Sequence, residues 1–271
     1  GARRRAGWMT ARFARVEPGV WLTVGESLCD ALPLVIARVR AWLDLDADPA
    51  VIDACLSSPL DGGGAASQGA LAGLRVPGCL DGFELAVRAI LGQQVTVAAG
   101  RTLAERLVER FGEPMGTPVP GLDRLFPTPD VLALADGDAL GQLGIVRQRQ
   151  AAVQALARAL ADGHLSLDAS ADVPTTLAAL TALPGIGDWT AQYIALRALC
   201  WPDAFPAGDV PLQKALGVAS ARDAERVSQA WRPWRSYAVI RAWHGGATAG
   251  RAGNSSFHST SWPADAGKKA I

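Results

Sequence analysis

The sequence predicts a mainly α-helical protein, with an all-α domain over residues 71–244 that follows the remnant of a small α/β domain over residues 1–70. From residue 81 onward apolar residues recur at helical spacing, and no alternating strand pattern interrupts them. Before that point, two short β-prone segments flank Glu17-Pro18-Gly19, which is a hairpin signal. Residues 61–69 (DGGGAASQG) have the composition of a flexible linker and mark the domain boundary.

The N-terminal part is expected to supply the end of a sheet and two helices. The segments 11–15 and 20–24 are predicted as strands. Because two strands alone are marginally stable, we expect them to be the last strands of a sheet whose earlier strands are missing from this chain. Apolar periodicity predicts a helix over residues 31–43, and Asp48 as cap with Pro49 in the first turn predicts another through residue 55.

The second part is read as helices separated by short turns, with Thr128 expected to cap one of them. Residues 245–271 are rich in Gly, Ala and Ser without periodicity and are predicted to be a disordered tail. The predicted helices are Phe83–Ala99, Thr102–Phe111, a short one from Pro129, Asp138–Leu143, Val146–Leu160, Val173–Leu183, Asp188–Leu199, Pro211–Leu216, Ala221–Trp231 and Trp234–Trp243.

Composition narrows the class of protein. The chain has 271 residues, 49% of them hydrophobic, and a formal net charge of zero. It can therefore bury a substantial core, but it does not carry the bulk positive charge of a nonspecific nucleic-acid binder. No run approaches the roughly 18 apolar residues of a membrane helix, so we expect a cytoplasmic protein without a membrane partner. The widely spaced Cys29, Cys55, Cys79 and Cys200 fit neither a zinc site nor a disulfide framework.

Residues 183–193 (LPGIGDWTAQY) organise the chain. They predict a helix end, a tight glycine-rich turn and a new helix that Gly187 or Asp188 caps. Such a turn directs backbone N–H groups outward beside a positive helix N-terminus, an arrangement that suits a phosphate. It contains no Lys or Arg, so the backbone would hold the anion. The alternative is an ordinary turn between two helices.

The sequence downstream decides between these alternatives. Asp209 follows within FPAGDVPLQK, and Trp-Arg-Pro-Trp-Arg-Ser-Tyr-Ala follows at 231–238, with Trp243 after it. Upstream, residues 88–94 read RAILGQQ. In this order and spacing, the chain from about residue 28 to 243 resembles the helix-hairpin-helix DNA glycosylases, most closely those of the DNA-3-methyladenine glycosylase II type. The resemblance implies a mixed α/β domain ahead of the helical one.

Asp209 has two readings. By its position before a helix it is an N-cap, whereas the resemblance implies that it is the catalytic carboxylate, and the two roles can coexist. Cleavage of an N-glycosidic bond builds oxocarbenium character on the sugar, which a nearby carboxylate stabilises. The family often has a second acid just before this residue, but here that position is Gly208.

The resemblance assigns the base pocket to Trp189, Tyr193 and Trp243. Trp189 and Tyr193 lie one helical turn apart and share a face. Their electron-rich rings suit a positively charged alkylated purine, since cation–π attraction contributes about 0.5–2 kcal/mol. Relatives that also nick the strand carry a lysine where this chain has Trp189, so a monofunctional enzyme is expected.

Further roles follow from the same resemblance. The hairpin would hold the DNA backbone through Gly185, Ile186, Gly187 and Thr190. Gln94, otherwise a polar loop residue in the turn at residues 92–94, is the candidate wedge that fills the gap left by a flipped base. No cofactor is required, but a monovalent cation is implied at the backbone carbonyls of Thr181, Leu183 and Ile186.

Together these expectations describe a monomeric enzyme that removes alkylated bases, such as 3-methyladenine and 7-methylguanine, from double-stranded DNA and leaves an abasic site. The alternative is a non-catalytic helix-hairpin-helix module that recognises damaged DNA. The combination of Asp209 with an aromatic pocket favours the enzyme.

Overall fold

A computed structural model describes residues 6–14, 19–56, 71–249 and 268–270 of the chain. Among these residues no helix is long and apolar enough to cross a bilayer. The predicted linker at 61–69 lies outside the described residues, and so does most of the predicted tail. Residues 245–249 of that tail continue the last helix instead.

The N-terminal part is a small sheet covered by one helix. Strands β1 (Trp8–Phe13) and β2 (Val20–Val24) pair antiparallel, with Met9 opposite Val24. A third strand, β3 (Lys268–Ala270), pairs with the free edge of β1. Helix α1 (Leu32–Trp42) follows a short 3-10 helix at Glu26–Ala31, and α2 spans Pro49–Leu56. One face of the sheet and one face of α1 enclose a separate small core, made of Met9, Leu28, Val35, Val39, Trp42 and Leu80.

The rest of the described chain is helical, which confirms the predicted fold class. A single large core runs through it, with side chains such as Ile90, Leu107, Leu156, Leu180 and Trp231 fully buried. A 3-10 turn at Gln229–Trp231 precedes the last helix. The helices are α3 (Gly82–Leu91), α4 (Val97–Phe111), α5 (Pro129–Ala133), α6 (Gly137–Gln142), α7 (Arg147–Ala161), α8 (Val173–Thr181), α9 (Asp188–Arg197), α10 (Val210–Ala215), α11 (Ala221–Ser228) and α12 (Arg235–Ala249).

The predicted continuous helix over residues 83–99, followed by a new helix from residue 102, is wrong. Helix α3 ends at Leu91 with Gly92 as its C-cap, and α4 begins after Thr96, whose hydroxyl accepts the N–H of Ala99 at 3.2 Å. Gly100 lies inside α4, where a Cβ would come within 3.3 Å of the Cα of Gly92. Periodicity missed the break because apolar residues continue through it, whereas the resemblance had implied a loop here. Residues 92–96 are called the wedge loop below.

Asp44 joins the two parts of the molecule. It follows α1 with a positive φ of 53°, and its Oδ2 accepts hydrogen bonds from the N–H of Val76 at 3.0 Å and the hydroxyl of Tyr237 at 2.9 Å. Burial raises the pKa of the Asp44 carboxyl, while these two hydrogen bonds act to lower it. Burial and the nearby Asp44 carboxyl raise the pKa of Tyr237 as well.

Candidate active site

The glycine-rich turn is a compact hairpin between α8 and α9, at residues 183–187. Gly185 has a φ of +76°, a conformation that residues with a Cβ rarely adopt. A Cβ at Gly185 would also lie 3.0 Å from the Cβ of Ala152 on α7. Ile186 turns inward and is buried, so the hairpin is anchored in the core while its backbone follows the surface.

Helix α9 begins without a side-chain cap. Its N-cap is Gly187, which is exposed and extended, while Asp188 is the first helical residue. Of the two sequence-based candidates, Gly187 is therefore the cap. Because no side chain accepts the first N–H groups of α9, this positive helix end is suited to an anion. Thr190 is buried at 3% exposure, so its side chain faces the protein rather than the surface.

Asp209 lies at the start of α10 and is only 8% exposed. Its Oδ1 accepts the N–H of Leu212 at 2.7 Å, which makes it the N-cap that its sequence position predicts. Oδ1 also accepts the indole N–H of Trp243 at 3.0 Å, and Oδ2 accepts that of Trp189 at 2.8 Å. Three donors from three elements thus fix the carboxylate group and compensate for its burial.

The aromatic residues predicted to form a base pocket come together beside this carboxylate. The rings of Trp189 and Tyr193 are stacked, with centroids 5.4 Å apart and planes within 5° of parallel. Trp243 approaches Tyr193 at 6.4 Å with a tilt of 46°. These three residues are called the base pocket below. Trp189 and Trp243 both donate their indole N–H groups to Asp209, so the same aromatic cluster that forms the pocket also orients the carboxylate.

A buried ion pair fixes the segment before Asp209 to the helix that carries Trp243. Arg235, at the start of α12, donates from Nε to Oδ1 of Asp203 at 2.7 Å and from Nη2 to Oδ2 at 3.1 Å and to the backbone carbonyl at 2.7 Å. Ser236 adds a bond to the carbonyl of Trp201 at 2.7 Å. The segment that leads to Asp209 is thereby fixed to the helix that carries Trp243.

The wedge loop is joined to the hairpin. The side-chain amide of Gln93 donates to the carbonyl of Gly185 and to the hydroxyl of Thr190, both at 3.0 Å. Arg149 donates to the carbonyl of Gln93. The candidate wedge Gln94 is exposed and has a φ of +53°, an uncommon conformation for a residue with a side chain. It is flanked by the exposed Val95, so the loop presents its side chains outward.

Sequence reasoning missed three residues of this site. Gln93 and Arg149 could not be found because their bonds join distant segments. Arg197 could have been found, since it lies one turn beyond Tyr193 on the same face of α9. Its Nη1 donates to the hydroxyl of Tyr193 at 3.3 Å, and its guanidinium carbon lies 5.8 Å from the ring centroid.

Trp189, rather than a lysine, contacts Asp209, and the described residues contain no side-chain metal cluster. Within the described residues no group of three His, Cys, Asp or Glu side chains could hold a metal. Of the carbonyls implied for a cation, that of Leu183 accepts the N–H of Ile186 at 3.3 Å. A carbonyl oxygen has two lone pairs, so this hydrogen bond leaves the Leu183 carbonyl one lone pair for a cation. The turn is therefore compatible with a bound monovalent cation.

Comparison with known proteins places this geometry in a family. Residues 87–235 match the family described as "HhH-GPD superfamily base excision DNA repair protein", and residues 2–81 match the "AlkA N-terminal domain". The "DNA-3-methyladenine glycosylase 2" of Escherichia coli K12 is 36% identical over 209 residues, which cover 77% of this chain and 71% of that protein.

Two further similarities bear on length and fold. The "Probable bifunctional transcriptional activator/DNA repair enzyme AlkA" of Mycobacterium tuberculosis H37Rv is 44% identical over 211 residues, covering 76% of this chain but only 42% of that protein. This chain therefore spans less than half the length of that relative. The solved structure "3-methyladenine dna-glycosylase from Archaeoglobus fulgidus" superposes with a TM-score of 0.69 at 19% identity, covering 89% of this chain and 87% of that one, and shows the shared fold.

The family match covers more than half of the chain and includes the hairpin, the base pocket residues Trp189 and Tyr193, and Asp209. The chain belongs to the HhH-GPD superfamily of base excision DNA repair proteins.

Proposed function

We propose that the chain is a monofunctional DNA glycosylase. It flips an alkylated base of the 3-methyladenine or 7-methylguanine type out of double-stranded DNA, hydrolyses its N-glycosidic bond and leaves an abasic site. One observation carries the proposal: the buried carboxylate of Asp209 is held by the indole N–H groups of Trp189 and Trp243, whose rings both pack against Tyr193.

The hydrogen bonds indicate which carboxylate oxygen acts. A carboxylate offers about four lone-pair positions over its two oxygens. Oδ1 of Asp209 accepts two hydrogen bonds, from Leu212 and Trp243, whereas Oδ2 accepts one, from Trp189. Oδ2 therefore keeps a lone pair for the sugar or for the attacking water.

The reaction needs little more than this oxygen. As the bond between C1′ and the base nitrogen breaks, its electron pair leaves with the base and positive charge develops on the sugar ring. The carboxylate of Asp209 stabilises that charge electrostatically. Water then adds to C1′ and releases its proton. Because an N-alkylated purine is cationic, it departs as a neutral molecule and requires no strong general acid, in agreement with a glycine at position 208.

Two other features serve the DNA. The uncapped start of α9, with Gly185, Gly187 and Thr190, offers backbone N–H groups to a phosphate, while Ile186, whose N–H bonds to the carbonyl of Leu183, anchors the turn. Gln94, exposed in its strained conformation, fills the space left in the duplex; strain of this kind is often concentrated at functional sites.

A monovalent cation at the carbonyls of Thr181, Leu183 and Ile186 would stiffen the same turn. The protein would act as a monomer on DNA in the cytoplasm.

The absence of strand cleavage follows from the residue at position 189. A Schiff base with the sugar requires a lysine within reach of C1′. That position holds Trp189, whose N–H is committed to Asp209. Lys214 lies on the exposed side of α10 in its last turn, and Lys268 and Lys269 belong to β3.

The test is the release of free base from methylated duplex DNA, followed by chromatography. The wild-type chain should release 3-methyladenine and 7-methylguanine, leave the strand uncut and form no borohydride-trapped adduct. Asp209→Asn should bind the DNA but release no base at a comparable rate. A wild-type chain that binds but never releases base would identify a damaged-DNA-binding module instead, and a trapped adduct would refute the monofunctional assignment.

A further inference from the structure

Helix α9 carries a series of three residues along one face of the pocket. Trp189, Tyr193 and Arg197 are spaced four residues apart, so they lie above one another on the helix. The series begins at the carboxylate of Asp209, which Trp189 contacts, and ends at the guanidinium of Arg197, which contacts Tyr193. The two stacked rings therefore lie between a negative charge and a positive one.

Arg197 is not neutralised by an ion pair. No salt bridge involves it among the residues that the structure describes, whereas Arg235 and Arg241 each pair with carboxylates. Its Nε is buried and lacks a hydrogen-bond partner. Arg197 as a whole is half-buried, but a buried donor without a hydrogen-bond partner is costly.

We propose that Arg197 is a specificity-determining residue that biases the base pocket against cationic bases and toward neutral ones. The proposal rests on the glycosylase function proposed above. A cationic base in contact with Tyr193 would share that ring with a second cation whose centre lies 5.8 Å from the ring centroid. Like charges at such distances repel in the partly desolvated interior, whereas a neutral base experiences no such repulsion. Arg197 thus offsets part of the cation–π preference of the rings and broadens the range of bases that the pocket accepts.

The test compares two lesions in the same enzyme. Single-turnover release is measured for duplexes carrying 7-methylguanine, a cationic base, or hypoxanthine, a neutral purine of similar size. For each lesion the rate constant of release is divided by the dissociation constant of that duplex, and the readout is the ratio of these two quotients, cationic over neutral. This ratio does not depend on the fraction of folded protein, so general destabilisation does not change it. Arg197→Met removes the charge at similar length, Arg197→Lys keeps the charge, and Arg38→Met removes one exposed charge from α1 as a matched control.

We expect Arg197→Met to raise the ratio of cationic to neutral base excision about ten-fold, as Coulomb energies at this separation and a protein-like dielectric allow. Arg197→Lys should stay within about three-fold of the wild type, and Arg38→Met should match it. An unchanged ratio in Arg197→Met, or an equal shift in Arg197→Lys, would overturn the inference. If Arg197→Met does not fold, Arg197→Gln is measured under the same criterion. A wild-type chain that releases neither base contradicts the glycosylase function, whereas an active wild type with an unchanged ratio contradicts only the role of Arg197.

Discussion

Replacing Gly185 by alanine should destabilise the hairpin far more than the same change at Gly187. At Gly185 the new Cβ meets two penalties, a φ of +76° and an approach of 3.0 Å to the Cβ of Ala152. The left-handed backbone costs an L-residue about 1–2 kcal/mol, and strain at such positions reaches ~3 kcal/mol when the surroundings must also move. At Gly187, φ is −88° and nothing lies within 4 Å of a Cβ.

We expect Gly185→Ala to lower the free energy of unfolding by about 2–3 kcal/mol, and Gly187→Ala to lower it by less than about 1 kcal/mol through loss of a favourable N-cap. Urea denaturation measures both values. The affinity for a duplex with an abasic site, measured by fluorescence anisotropy, should fall more for Gly185→Ala than for Gly187→Ala, because the change at Gly185 displaces the phosphate-binding N–H groups.

A double-mutant cycle separates the two penalties at Gly185. Combining Gly185→Ala with Ala152→Gly removes the close approach and leaves only the backbone strain. The double variant should therefore be more stable than the sum of the single effects predicts, by about 0.5–1 kcal/mol. Equal destabilisation by Gly185→Ala and Gly187→Ala, or strict additivity in the cycle, would refute this account of the turn.

Three further predictions follow from named contacts. Arg235→Met should lower the free energy of unfolding by about 3 kcal/mol, because it leaves the buried Asp203 with only the half-exposed Arg232 as its ion-pair partner, at 2.5 Å. Arg235→Met with Asp203→Leu should cost less; urea denaturation checks both, and a single variant as stable as the double one contradicts the prediction. Asp44→Asn should be at least as stable as the wild type at pH 7 and lose that advantage at pH 4. Burial raises the pKa of Asp44 in the folded state, so the stabilising contribution of the wild-type Asp44 is present at low pH and is lost as pH rises through that pKa. A stability advantage of Asp44→Asn that grows at low pH would contradict this prediction. Gln93→Ala should reduce base release about ten-fold by uncoupling the wedge loop from the hairpin. The exposed Gln142→Ala on α6 is the control, and wild-type rates in both variants would contradict the prediction.

Local patterns predicted much of the fold. Thr128 and Asp209 cap helices where capping chemistry expects them, with their side chains accepting the N–H of Val131 at 3.3 Å and of Leu212 at 2.7 Å. The strands at 8–13 and 20–24 form the predicted hairpin. These features depend on neighbours within a few residues, which a sequence displays directly.

The remaining features depend on distant partners. The break at residues 92–96 was missed by periodicity because a short loop can keep its apolar spacing. Gly100, which falls in the gap between the predicted helices 83–99 and 102–111, lies inside α4 where it permits the close approach of Gly92. At the site, the resemblance named Asp209 and the three aromatic residues, but the indole N–H bonds that orient Asp209 join positions 20 and 34 residues apart along the chain. Those bonds follow only from tertiary packing.

The central claim is that Asp209 stabilises the charge that develops on the sugar. The most direct measurement is the single-turnover rate of 7-methylguanine release by Asp209→Asn at saturating protein, with Asp130→Asn, an exposed carboxylate in α5, as the matched control. The account predicts a loss of about 100- to 1,000-fold for Asp209→Asn, with DNA still bound, and a rate near that of the wild type for Asp130→Asn. Release by Asp209→Asn at the wild-type rate would contradict it.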